Sequence, residues 1–301
     1  MPPRKRQPKA KPNGVVLKPI RPGLGIEVMY RKRLDTLLQK IHASVLWWVA
    51  AEYKKHPPAM AQDSSPIEFL TRLMRGLRNR WMKKINETAP KLAEYFASAI
   101  NKRSDAQLKK ILKDGGWTIN FQRTKAMNDV WAASVAENVS LIKSIPETYL
   151  RQVEETVSRA FANGYNLKRL TDELQERFKV SKKRASLIAR DQSNKLSGQM
   201  SRVRMIENNI TTARWAHAGA GARKHPRKTH LHLMNGQEFD LREGLYDPDP
   251  KVRRKIHCAE LPNCFCIARA IIPGVTRPNA RGIAKEEYQG RLKEWKESHN
   301  R

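Results

Sequence analysis

Between Arg214 and Pro273 the chain gathers Trp215, His217, His225, Arg227, His230, His232, His257, Cys258, Cys264 and Cys266, five of its eight histidines and all three of its cysteines. The side chains that could hold a metal or move a proton are concentrated in one stretch. Cys264-Phe265-Cys266 offers two soft sulfur donors, the kind of ligand that selects zinc. His230, His232, His257 or Cys258 would complete a tetrahedral set, with His230, Cys258, Cys264 and Cys266 as the candidate metal site. The spacing is not that of a common zinc finger. A metal-free reading stands beside it, in which buried thiols and a hydrogen-bonding histidine tie the small unit together. The expected cofactor is zinc or none.

A metal-dependent nuclease would need carboxylates to position a metal or a water. The acids nearby are Asp240, Glu243, Asp247, Asp249 and Glu260, and most of them lie in DLREGLYDPDP, which reads as a polar connector. No catalytic residue is assigned, and the chain is not read as an enzyme. A zinc-dependent nucleic-acid-binding protein or nuclease is the alternative.

The elements around these residues read as a small α+β unit. TTARWAHAG alternates Thr and Trp in the manner of a strand, HLHLMNG is a further short element, and CIARAIIP closes the run with a β-branched strand signal. Asn235-Gly236 reads as a hairpin-type turn, since both residues tolerate positive φ. Upstream the texture is helical. Ile26 to about Lys55 carries apolar residues at Val28, Leu34, Leu37, Leu38, Ile41, Val45 and Trp48, close to a helical period.

HPPAMAQDSSP breaks that helix, and Ser65-Pro66 opens a second one running to about Asn86. Further helices are expected at Lys91 to Arg103, Ser104 to Lys113, Arg123 to Ile145 and Pro146 to Phe161, with a turn at Gly115-Gly116. A short helix then ends near Phe178, and Ser181 caps a long one reaching Glu207, closed by Asn208-Asn209. Trp47, Trp48, Trp81, Trp117 and Trp131 fall on helices, and the core reading is kept for most of them.

Charge identifies the kind of partner. The 301 residues hold 59 Lys and Arg against 29 Asp and Glu, a formal charge of +30, which points to a polyanion and by default to nucleic acid. No helix-turn-helix, zinc-finger or ribonucleoprotein pattern supports a sequence-specific regulator. Met1 to Gly25 has seven Lys or Arg and no acid, and reads as a disordered basic arm whose Arg4, Lys5, Arg6, Lys9 and Lys11 would contact DNA without sequence preference. No apolar run approaches a membrane span, and a cytoplasmic setting suits three cysteines better than a disulfide framework.

IARDQSNKLSGQ, then RWAHAGAGARKHPRKTHLHLMNGQEFD, then LPNCFCIARAIIP, in that order, resembles the phage Mu F-like minor head proteins, a head-morphogenesis family. The resemblance covers roughly Ser181 to Pro273. Its motif residues correspond here to Arg190 after Ala189, Trp215, Arg227 with His230, Asn235-Gly236, and Asn263-Cys264-Phe265-Cys266. Phe265 stands where the family usually has Arg, and Asp191 where Thr is frequent.

The resemblance implies a structural virion protein acting in capsid assembly, with the portal protein and a capsid or scaffold protein as partners, inside the head and in the host cytoplasm during assembly. The expected organisation is α+β: a basic arm at 1–25, a helical domain at 26–180, a Mu F-like domain at 181–275 and a charged tail with a helical pattern at 276–301.

Overall fold

The computed structural model describes residues 14–55, 65–114, 121, 124–217 and 227–273. The chain is α+β, with long helices first and short antiparallel strands after them. It divides into two compact units. One is formed by the described residues among Gly23–Ile100 and Trp131–Ser193. The other is formed by the described residues among Met1–Pro22, Asn101–Val130 and Asn194–Arg301. Arg4, Lys5, Arg6, Lys9 and Lys11, the Gly115-Gly116 turn, Trp117, His225 and the tail from 276 onward lie outside the described residues.

Among the described residues four helices replace the eight expected between Ile26 and Glu207: α1 (Leu24–Lys55), α2 (Ser65–Asp114), α3 (Lys125–Ala162) and α4 (Leu167–Glu207). The expected breaks near Asn86, Arg103, Ile145 and Phe178 are bridged, because buried residues continue at helical spacing through each. Ile85, Ala89, Ala93 and Phe96 carry the buried face past Pro90, and Ile142, Ile145, Tyr149 and Val153 carry it past Pro146. Ser181 is not a cap. Leu170, Leu174, Ser181, Ala185 and Ala189 form one buried stripe along α4, and the cap is Asn166, whose Oδ1 accepts from Arg169 N at 2.9 Å.

In the helical unit, α1 buries Tyr30, Leu34, Leu38, Ile41, Val45, Val49 and Tyr53, whereas Val28 faces out. Tyr30 stacks on Phe96 with ring centroids 4.1 Å apart. Buried polar contacts fix how the helices pair: Tyr30 donates to Asn138 Oδ1 at 3.2 Å, and Asn138 Nδ2 donates to Gln192 Oε1 at 3.1 Å. His42 joins the Tyr149 hydroxyl at 2.5 Å and Gln175 Oε1 at 2.8 Å. Trp47 is 63% exposed, which corrects its core reading, and Trp48, Trp81 and Trp131 are only half-buried.

The second unit is built on an antiparallel sheet of order β1-β6-β2-β3, from β1 (Gly14–Val16), β2 (Thr212–Ala216), β3 (Glu238–Asp240) and β6 (Ile267–Pro273). A two-stranded ribbon joins β4 (Leu245–Asp247) to β5 (Arg254–Ile256). Residues 14–25 are thus not part of a disordered arm: β1 pairs with β6, Leu17 and Ile20 are buried, and α1 has begun by Leu24. Their apolar run VVL-PI supplies the surface that a purely basic segment lacks.

Trp215 on β2 is fully buried among Leu108, Leu112, Met205, Ile210, Phe239 and the cysteines. Truncating so large a buried side chain to Ala costs ~3–5 kcal/mol in a typical core. The stretch HLHLM is a π-helical turn, Thr229–Met234, and not a strand. Asn235-Gly236 does turn the chain, but only Gly236 has positive φ, at 89°, while Asn235 stays at −61°, 122°. Gln237 N donates to Met234 O at 3.0 Å, so this is a type II turn leading from the π-helical turn into β3.

Candidate metal centre

Three elements converge on one point behind β2. The π-helical turn carries His230, the segment entering β6 carries Cys264 and Cys266, and β4 carries Asp247; all four side chains are buried. His230 Nδ1 lies 3.5 Å from Cys264 Sγ and 3.5 Å from Cys266 Sγ. The ligand atoms of these three residues all lie within 4.8 Å of one another. On the far side of the ring, Nε2 is 3.0 Å from Asp247 Oδ2. The ring also meets Trp215 edge-on, centroids 5.3 Å apart.

Local sequence explains the convergence. Residues two apart on an extended chain point the same way, so Cys264 and Cys266 both face His230, and Phe265 between them borders a cavity that Cys266 also lines. Asn263 has φ 56°, a left-handed conformation that Asn tolerates, and Cys264 N closes the turn onto Leu261 O at 3.0 Å. Arg227 donates from both Nη1 and Nη2 to Pro262 O, each at 3.2 Å, tying this turn to the start of the π-helical turn. Asn235 Oδ1 accepts from His217 N at 3.0 Å, and Gly236 N donates to Trp215 O at 2.8 Å, which fixes the other end. The Arg-x-x-His, Asn-Gly and Asn-Cys-x-Cys motifs therefore frame one cluster.

Burial pulls the His230 imidazole down, but the hydrogen bond to Asp247 and the neighbouring Cys264 outweigh it and hold it at about 9. The contact with Cys266, together with His230, brings Cys264 well below the usual thiol range against its burial. Cys266 is pushed up by Cys264 and by burial. Asp247, despite complete burial, is kept low by His230 and by backbone amide donation.

Cys258 is buried in the same core but is not among the converging ligands, so the expected four-residue set becomes His230, Cys264 and Cys266. Cys258 lies instead beside α4, where a Cβ on Gly198 would come within 3.1 Å of the Cys258 carbonyl. With Asn194, Ser197, Arg202, His257 and Phe265 it borders a cavity of about 210 Å³. His232 is exposed, and Arg190 lies on α4 in the helical unit. Asp240 pairs with Arg242, and Asp249 accepts from Lys251 N. Asp247 is read from sequence only as an acid in a polar connector, and its place beside His230 is what sequence reasoning missed. Its signal was the Leu245-Tyr246-Asp247 alternation inside a stretch dominated by turn residues.

The fold is that of a mostly helical α+β protein whose small sheet domain encloses a His-Cys-Cys cluster. Residues 151–269 match the family model described as Phage Mu protein F like protein, so the chain carries a phage Mu F-like segment that begins within α3 and ends within β6. A protein of Haemophilus influenzae, described as an uncharacterized protein, is 30% identical over 165 residues, covering 54% of this chain and 34% of its own length. The chain thus spans about a third of the curated relative it matches. No solved structure matches. Among the described residues no helix is long and apolar enough to cross a membrane.

Proposed function

We propose that the protein is a structural component of phage head morphogenesis, assembled into the virion head near the portal and contacting DNA through its basic arm. The observation that carries this reading is the Mu F-like match over 151–269, which takes in every motif framing the His-Cys-Cys cluster. The formal charge of +30 supports a polyanionic neighbour independently. The role is non-enzymatic, with the portal protein and a capsid or scaffold protein as partners.

The alternative, a zinc-dependent nucleic-acid-binding protein or nuclease, would draw on the same cluster, whereas a magnesium-dependent nuclease would not. Among the described residues the converging ligands are one imidazole and two sulfurs, a soft set without the carboxylates that hold magnesium. The test is to delete the gene from the phage genome that carries it and examine particles from induced cells. Heads that are missing, aberrant or DNA-free, restored by supplying the protein, support the reading, as does its co-purification with portal protein from assembling particles. Normal yields of DNA-filled heads without the protein would overturn it.

A further inference from the structure

We propose that His230 Nδ1, Cys264 Sγ and Cys266 Sγ bind a zinc ion, with Asp247 orienting His230 from the outer shell. The inference is independent of the assembly role and begins with distances. Zinc bonds of about 2.0–2.1 Å to nitrogen and about 2.3 Å to sulfur, at a tetrahedral angle, separate the two donor atoms by about 3.6 Å. Both thiol sulfurs lie 3.5 Å from Nδ1.

Hydrogen-bond accounting points the same way. Nε2 faces the Asp247 carboxylate, which only accepts, so Nε2 is the donor and Nδ1 has a single remaining position. That position can serve one sulfur, yet two approach it equally. A cation serves both. The Asp247–His230 contact is the carboxylate–histidine pairing that fixes the tautomer and ring orientation of a metal-bound imidazole. Asp247 is 0% exposed, an expensive place for a carboxylate unless its partner is committed.

The motif framework serves the same point. Arg227 holds the turn before Cys264, and the Asn235-Gly236 turn anchors the opposite end of the π-helical segment. Without metal the same atoms form a hydrogen-bonded chain of imidazolium, thiolate and thiol. That state is the competing outcome of the test.

The full-length protein, purified from zinc-supplemented cells and dialysed without chelator, is analysed for metal and then titrated with cobalt(II) after zinc removal. The expected result is about one zinc per chain and intense thiolate-to-cobalt charge-transfer absorption. Cys264→Ser with Cys266→Ser should remove both. Cys258→Ser should keep full stoichiometry, and Asp247→Asn should weaken zinc roughly 10–100-fold in chelator competition. If the double variant does not fold, the wild-type stoichiometry and cobalt spectrum still decide. A folded wild-type protein with no stoichiometric zinc and no charge-transfer band would overturn the site, as would zinc lost in Cys258→Ser but retained in the double variant.

Discussion

Arg204 forks onto Asp105, with Nε 2.8 Å from Oδ1 and Nη2 2.9 Å from Oδ2, while its side chain is only 4% exposed. The pair joins the last turns of α4 to α2 within the sheet-bearing unit, and the guanidinium also lies 5.1 Å from the centre of the Phe121 ring. Bidentate geometry suits Arg and not Lys. Arg204→Ala leaves the partly exposed Asp105 without its partner and should lower stability by ~1–3 kcal/mol. Arg204→Met, which fills the space, should cost less. Urea unfolding of the two variants measures the difference, and equal midpoints for Arg204→Ala and wild type would rule out a stabilising role.

The basic arm should bind DNA with steep salt dependence. Because residues 14–16 form β1, the informative deletion is Met1–Asn13, which removes Arg4, Lys5, Arg6, Lys9 and Lys11 and leaves the sheet intact. If all five contact phosphates, the slope of log affinity against log salt should fall in magnitude by about 4–5. Fluorescence anisotropy on random-sequence duplexes across a salt series reads the slope. An unchanged slope would move DNA contact elsewhere on the chain.

Acid should weaken the sheet-bearing unit through His257. Burial and the Arg202 charge press this imidazole down to about 4, with Glu260 opposing and Arg254 adding to the depression. The folded state holds His257 neutral, so its contribution is complete above the ordinary histidine value of about 6.5 and is lost as pH falls from there towards 4. His257→Gln should flatten the fall in melting temperature across that window. Identical pH slopes in variant and wild type would exclude His257 as the cause.

His217 sits at the end of β2, its backbone amide fixed by Asn235 Oδ1, and Cys264, His230 and His232 are the charges acting on its ring. Its ring is not among the donors that already lie within 4.8 Å of one another, so it would have to rotate to reach the fourth corner of a tetrahedral ion. His217→Ala should lower zinc affinity at least tenfold, while the thiolate charge-transfer band of the cobalt form persists. An unchanged affinity assigns that corner to water.

The sequence made the cluster legible more readily than the helices. Cys-x-Cys on an extended chain and a histidine one turn after Arg227 specify chemistry by residue type, and the structure unites His230, Cys264 and Cys266. Asp247 was hidden because a carboxylate among Arg, Glu, Pro and Asp looks solvated, and only the pairing of β4 with β5 buries it. Helix boundaries misled for a related reason. Pro90, Pro146 and Ser181 are local stop signals, yet tertiary burial of neighbours such as Ala89, Ile145 and Ala185 outweighs them. Local preference describes the isolated segment, whereas packing chooses among segments.

The pairing of β1 with β6 also sets the order of events on the ribosome. Gly14–Val16 emerge early, but their partners Ile271, Ile272 and Pro273 are translated only after all four helices. β1 therefore lacks its strand partner through most of synthesis. The helical unit has its last residues by Ser193 and can be complete while the sheet is still missing its central strand. The nascent protein thus passes through a half-built stage, in which a chaperone or an assembling partner has access to β1 that the finished sheet denies it.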